Sequence, residues 1–198
     1  DPEHLEVGNL ARHTLTTNDV GEWKSQALTT RLNAICPNAT VEGIPASFPD
    51  LGADQIGRLR ESEFILDCTG DDTVLHRMGS FDWGSPKRFA SISVGLFARR
   101  LFLFLCRGEE FPASEMQRML QPWLEKELEE NDGMELPREG IGCWHPVFPA
   151  RADDLWLLVA AAVKSIEKWL NTPAERPALV VFEQVSADGV FAGVRRVT

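Results

Sequence analysis

A chain of 198 residues with 43% hydrophobic and 25% charged content can bury one well-packed α/β core, and it is too apolar for disorder. Its formal net charge of -10 argues against broad capture of nucleic acid or an anionic membrane, either of which needs a basic face. The longest apolar stretch, residues 155–163, is too short to span a bilayer and reads as buried helix. Much of the acidity sits in residues 125–135, where a solvated helix end is the plain reading and an acidic docking surface the alternative. Cys36, Cys68, Cys106 and Cys143 are widely spaced, with no Cys-x-x-Cys pair and no zinc framework. With no secretory leader ahead of them, the expected compartment is the reducing cytoplasm.

In chain order, residues 19–35 predict a helix with Leu28, Leu32 and Ile35 on one face, ended by Pro37. Residues 39–44 alternate like a strand, residues 52–61 suit a short helix, and residues 64–68 read as a buried strand. That alternation predicts an α/β fold whose mostly parallel sheet is joined by crossover helices. Strands follow at 89–94 and 100–106, the second apolar enough to be buried on both faces. Residues 113–130 form a helix with Met116, Leu120, Trp123, Leu124 and Leu128 on one side. After a polar loop over 131–142, Asp153 is placed to cap a long helix, apolar nearly all round and so expected to be buried. Residues 178–182 and 189–194 predict a closing hairpin.

Asp1, Asn9, Arg12 and Lys24 fall within one strand-to-helix passage. An acid ending a strand of an α/β nucleotide fold can accept hydrogen bonds from ribose hydroxyls, and nearby cations can neutralise a triphosphate. Read alone, such residues are more often a solvated surface.

The string Asp1-Pro-Glu-His-Leu-Glu-Val-Gly-Asn-Leu-Ala-Arg-His13 resembles the D-x-D-x-V-x-x-S-N-L-x-R-Q motif of the ThiF/MoeB/ubiquitin-activating-enzyme family. Asp19-Val-Gly-Glu-Trp-Lys24 resembles that family's D-I-G-x-x-K element, Leu32-Asn-Ala-Ile-Cys-Pro37 its R-L-x-x-I-N-P stretch, and Phe64-Ile-Leu-Asp-Cys-Thr69 the strand ending in D-C-T-D-N. Together these elements cover the first half of the chain. The resemblance implies a Rossmann-like adenylating domain that activates the C-terminus of a ubiquitin-like or other glycine-tailed protein with ATP and Mg2+. It implies that Asp1 binds the ribose, Asn9 and Arg12 contact phosphates, and Lys24 holds the triphosphate and stabilises the pentavalent α-phosphorus. Where the family carries its magnesium acid this chain has Gly70, with Asp71 and Asp72 directly behind it; these two either hold magnesium or cap the helix starting near Thr73. Gly8, His13 and Glu3 depart from the motif. The family's Gly-rich nucleotide loop precedes the Asp, so an intact site is expected to need upstream residues.

Adenylated tails in this family often pass to a cysteine, which requires an accessible, stabilised thiolate. Cys36, Cys68 and Cys106 read as inert packing cysteines. Cys143 lies in Gly140-Ile-Gly-Cys-Trp-His-Pro-Val-Phe-Pro149, where the family's crossover loop carries the acceptor cysteine, and His145 follows two residues on. The alternative for Cys143 is a buried turn packed by Trp144. Expected partners are the tail protein, a conjugating-enzyme-like domain and a second copy of the fold. The whole chain is read as one domain, the C-terminal portion of the adenylating fold, with residues 89–136 a candidate inserted lobe. Two rivals remain: a catalytically silent scaffold of the same fold, and a dinucleotide-dependent oxidoreductase.

Overall fold

A computed structural model describes residues 1–10, 13–133, 150–172 and 174–198 of the protein. Among the described residues, five α-helices, α1 (Lys24–Ile35), α2 (Ala53–Glu61), α3 (Asp72–Ser80), α4 (Ala113–Glu130) and α5 (Ala152–Asn171), accompany one sheet. Its strands are β1 (Phe64–Asp67), β2 (Lys87–Val94), β3 (Arg100–Gly108), β4 (Ala178–Ala187) and β5 (Val190–Arg196), adjacent in that order. Thr17–Asp19 is a separate short turn rather than the start of α1, and α5 starts one residue before Asp153, which pairs with Arg151 at 3.0 Å. Residues 39–44, expected to be a strand, are irregular, with the Asn33 side chain bridging both backbone groups of Val41 at 2.8 and 2.9 Å.

The fold is mixed α/β, but the expected mostly parallel sheet is not what forms. Only β1 and β2 run parallel; β2–β3, β3–β4 and β4–β5 are antiparallel. The connections dictate this. Residues 95–99 return the chain too tightly for a crossover helix, through left-handed backbone at Phe97 (φ 57°) and Ala98 (φ 49°). Asp188 (φ 53°) and Gly189 (φ 77°) make the two-residue turn that closes the predicted C-terminal hairpin. In place of the expected first strand, the Asn33 side chain occupies both backbone groups of Val41.

Apolar side chains fill both faces of the sheet. On one face, Trp83 packs edge-on against Phe81 and Phe89 at 4.6 and 5.1 Å, and its indole N–H donates to the Met78 carbonyl at 3.1 Å. Met116 and Leu120 of α4 close that layer. Leu158, Ala162 and Ile166 of α5 cover the other face, against Leu101 and Leu103. α5 is buried on that side alone: Trp156, Leu157, Val159 and Val163 are exposed, contrary to the expectation from its all-round apolar sequence. On α4, Leu124 and Leu128 are exposed and Glu127 is buried in their stead.

Arg100 is why a glutamate goes inside. Its guanidinium is fully buried and donates to Glu127 at 2.5 Å, Glu130 at 2.7 and 2.9 Å, and Glu183 at 2.7 and 3.0 Å. Burial alone would lower the Arg100 pKa, but its hydrogen bonds to Glu130, Glu127 and Glu183 raise it above its usual value. Hydrogen bonds from Arg100 hold the Glu130 carboxyl below its ordinary range. Burial pushes Glu183 upward, and Arg195 and Arg100 together outweigh it and pull it below. Glu127 also accepts the Leu96 amide at 2.9 Å, and a Cβ on Gly95 would stand 2.8 Å from its carboxylate, so a side chain there would have to displace that carboxylate from its partners.

Arg100→Ala leaves buried carboxylates unpaired and is expected to cost about 3–5 kcal/mol in urea unfolding. Because the folded pKa values of Glu130 and Glu183 are depressed, their stabilisation is complete above the ordinary glutamate pKa of about 4.3 and lost as pH falls through the folded values. Acid titration of the wild-type chain should therefore show a steeper loss of stability below that pH than the Arg100→Ala variant.

Candidate functional site

Two separated stretches meet at the start of α1. His4 and Trp23 form an antiparallel bridge, with their rings 3.8 Å apart. The Leu5 amide donates to the Glu22 carbonyl at 2.8 Å, Gly21 to Leu5 at 2.9 Å, and Lys24 to Glu3 at 2.9 Å. This short ladder sets Lys24 in the first turn of α1, where it is only 8% exposed while the rest of that helix faces outward or is half-buried. Burial of an ammonium requires a partner, and Glu3 supplies the carboxylate. Asp1 is exposed, with Oδ1 accepting the Glu3 amide at 2.9 Å. Asn9 Oδ1 accepts the Glu6 amide at 3.0 Å, closing the turn between them.

Asp1, Asn9 and Lys24 are thus brought into one small module, whereas Arg12 lies outside the described residues. Glu3 and His13, which the motif comparison registers only as departures, belong to the same module. Burial, and behind it the charge of Lys24, holds the His13 imidazole below its usual pKa, with Asp19 opposing. His13 is therefore neutral near pH 7 and adds no second cation beside Lys24. A signal for the Glu3–Lys24 pair was present in the motif's second acid position, but its partner depends on a bridge that periodicity does not reveal.

At the C-terminal end of β1, Asp67 is buried and satisfied. It accepts the Ser91 hydroxyl at 2.6 Å and the Thr69 hydroxyl and amide at 2.7 and 3.0 Å. Asp71 is the N-cap of α3, its Oδ1 accepting the Thr73 and Val74 amides at 2.7 and 3.4 Å, and Asp72 is exposed in the first turn. Among the described residues no three His, Cys, Asp or Glu side chains group to hold a metal ion.

The cysteines divide differently from the expectation that Cys36, Cys68 and Cys106 are packing residues. Cys106 is buried in β3, and burial pushes its thiol up to about 12. Cys36 and Cys68 are exposed. Partial burial and then the charge of Asp67 push Cys68 up to about 11, which makes it a poor nucleophile despite its exposure. Cys143 and His145 lie outside the described residues. Alkylation of the folded chain followed by peptide mass analysis should label Cys36 near neutral pH, Cys68 only as the solution becomes strongly alkaline, and Cys106 only after unfolding. Fast labelling of Cys68 at neutral pH would contradict this assignment.

No helix among the described residues is long and apolar enough to cross a membrane. No protein-family model matches the chain. The chain is 40% identical over 173 residues to the ATP-dependent ubiquitin transferase-like protein Cap2 of Enterobacter hormaechei subsp. hoffmannii. That alignment covers 87% of this chain and 28% of the relative, so the chain spans little more than a quarter of that protein's length. The similarity is thus to one part of an ATP-dependent ubiquitin transferase-like protein.

Proposed function

We propose that this chain is part of a ThiF-like, ATP-dependent activating domain that adenylates the C-terminal carboxylate of a ubiquitin-like or other glycine-tailed protein and transfers the acyl group to Cys143. The observation that carries this reading is the convergence of residues 1–9 and 19–24 on the buried Lys24, because both stretches also resemble the family's nucleotide motifs. The similarity to an ATP-dependent ubiquitin transferase-like protein supports it independently.

In this mechanism the tail carboxylate attacks the α-phosphorus of ATP, the bond to the β-phosphate oxygen breaks, and pyrophosphate leaves. Lys24 and Arg12 neutralise the charge that builds on the phosphoryl oxygens, which is where preorganised cations reduce a barrier most. A triphosphate competes with Glu3 for the Lys24 ammonium, so the cation is held in place before substrate arrives. Asp1 accepts hydrogen bonds from the ribose and Asn9 contacts a phosphate. Asp71 and Asp72 would hold Mg2+, whose role when bound is to neutralise phosphate charge. The Cys143 thiolate then attacks the acyl carbon, the acyl–phosphate bond breaks, and AMP leaves. A conjugating-enzyme-like domain and a second copy of the fold are the proposed partners.

A silent scaffold is the second reading, favoured by Gly70 and by the helix-capping role of Asp71. Equilibrium binding of Mg-ATP and of NAD to the protein that carries this chain separates the readings. Lys24→Ala should weaken ATP binding about tenfold or more, the effect of losing a charge-assisted contact. Cys143→Ser should abolish the thiol-sensitive conjugate with the tail protein while leaving ATP binding intact. Absence of ATP binding would leave the scaffold, and a preference for NAD would remove the activating role.

A further inference from the structure

The opposite end of the sheet from Asp67 carries a cleft that the proposed function does not use. It has a volume of about 580 Å³ and lies where the N-terminal ends of β1 and β2 meet the C-terminal ends of β3, α2 and α5. Arg60, Lys87, Arg88 and Arg107 line it, with Glu61 and Glu63 as its carboxylates. A chain of net charge -10 thus gathers four cations against two anions in one concavity.

Two features of these cations call for an anion. Lys87 is 3% exposed, and among the described residues its ammonium meets only neutral acceptors, the Arg60 carbonyl and the Ser85 hydroxyl at 2.8 Å. A buried ammonium without a carboxylate is costly. Arg88 and Arg107 stand directly opposite each other in the antiparallel β2–β3 ladder, a cross-strand placement that like charges normally disfavour. Arg88 is held by Glu63 at 3.0 Å and by the Leu170 carbonyl at 3.3 Å, and Arg60 by Asp82 at 2.7 Å. The Arg107 side chain makes no hydrogen bond or ion pair among the described residues. Capping of helix-end carbonyls explains part of the placement of Lys87 and Arg88. It explains neither Arg107 nor the opposed arginine pair.

We infer that this cleft is an anion site for a phosphate-bearing small molecule. A multiply charged oxyanion accepts from several donors at once, which a single carboxylate does less well, and guanidinium groups match phosphate in a bidentate manner. The volume lies within the range of ligand pockets rather than of single ions. The site stands independently of the adenylating role, because none of its residues belongs to the Lys24 module.

The test is a titration of the whole chain with pyrophosphate, inorganic phosphate and ATP at constant ionic strength, read by amide chemical shifts. Saturable shifts at residues 60–63, 85, 87, 88 and 107 are expected with pyrophosphate. Arg107→Glu, at an exposed position, should keep the fold and weaken this binding about tenfold or more. Lys87→Met should weaken it also, with its thermal melt reported alongside. Stronger binding of ATP than of pyrophosphate identifies a nucleotide as the source of the phosphate; equal binding identifies a free polyphosphate. Shifts that do not saturate, that chloride reproduces, or that Arg107→Glu leaves unchanged would overturn the site.

Discussion

The guanidinium of Arg100 holds together the end of α4, the middle of β4 and the residue-95–99 turn, segments far apart in the chain. Its donors satisfy Glu127, Glu130 and Glu183, and Glu127 passes the restraint on to the Leu96 amide. Gln184 completes the frame: its amide bonds the Arg99 carbonyl and its side chain the Ala98 carbonyl, both at 2.9 Å. Left-handed backbone at two consecutive non-glycine residues is costly and persists only when its surroundings over-determine it. The buried charges, the strained turn and the antiparallel pairing of β2 with β3 are therefore one arrangement rather than three.

That arrangement also explains where sequence reasoning succeeds and where it stops. The α4 boundaries, the C-terminal hairpin and the double-sided burial of β3 follow from local periodicity and turn chemistry, and all are present. The sheet's direction does not follow, because helix and strand alternation is shared by parallel and mixed sheets. Direction is decided at residues 95–99, where neither Phe97 nor Ala98 advertises a left-handed backbone. The buried face of α4 was misassigned for a similar reason: Glu127 replaces Leu128 only because Arg100, distant in sequence, reaches it.

The candidate site is legible to a comparable depth. Lys24 and Asp1 stand out by their place in a recognisable string, and the bridge between His4 and Trp23 gives that string a physical form. What the string could not reveal is the ionic environment. Glu3 meets Lys24, the His13 pKa is lowered, and the thiol pKa of the exposed Cys68 is raised, each through surroundings that periodicity does not reveal. The basic cleft was invisible for the same reason, since Arg60, Lys87 and Arg107 acquire meaning only when three strand and helix ends meet.

The order of assembly is a final consequence of how the strands are joined. The β2–β3 and β4–β5 ladders close over short turns, so each can form early and locally. Joining them requires β3 to find β4, with Arg100 and Glu183 separated by 83 positions. The Arg100–Glu183 contact therefore carries a larger loop-closure cost than the Arg100–Glu127 and Arg100–Glu130 contacts, which span 27 and 30 positions. Until β3 and β4 meet, the Arg100–Glu183 pair cannot form, and the two strands are edges of separate ribbons.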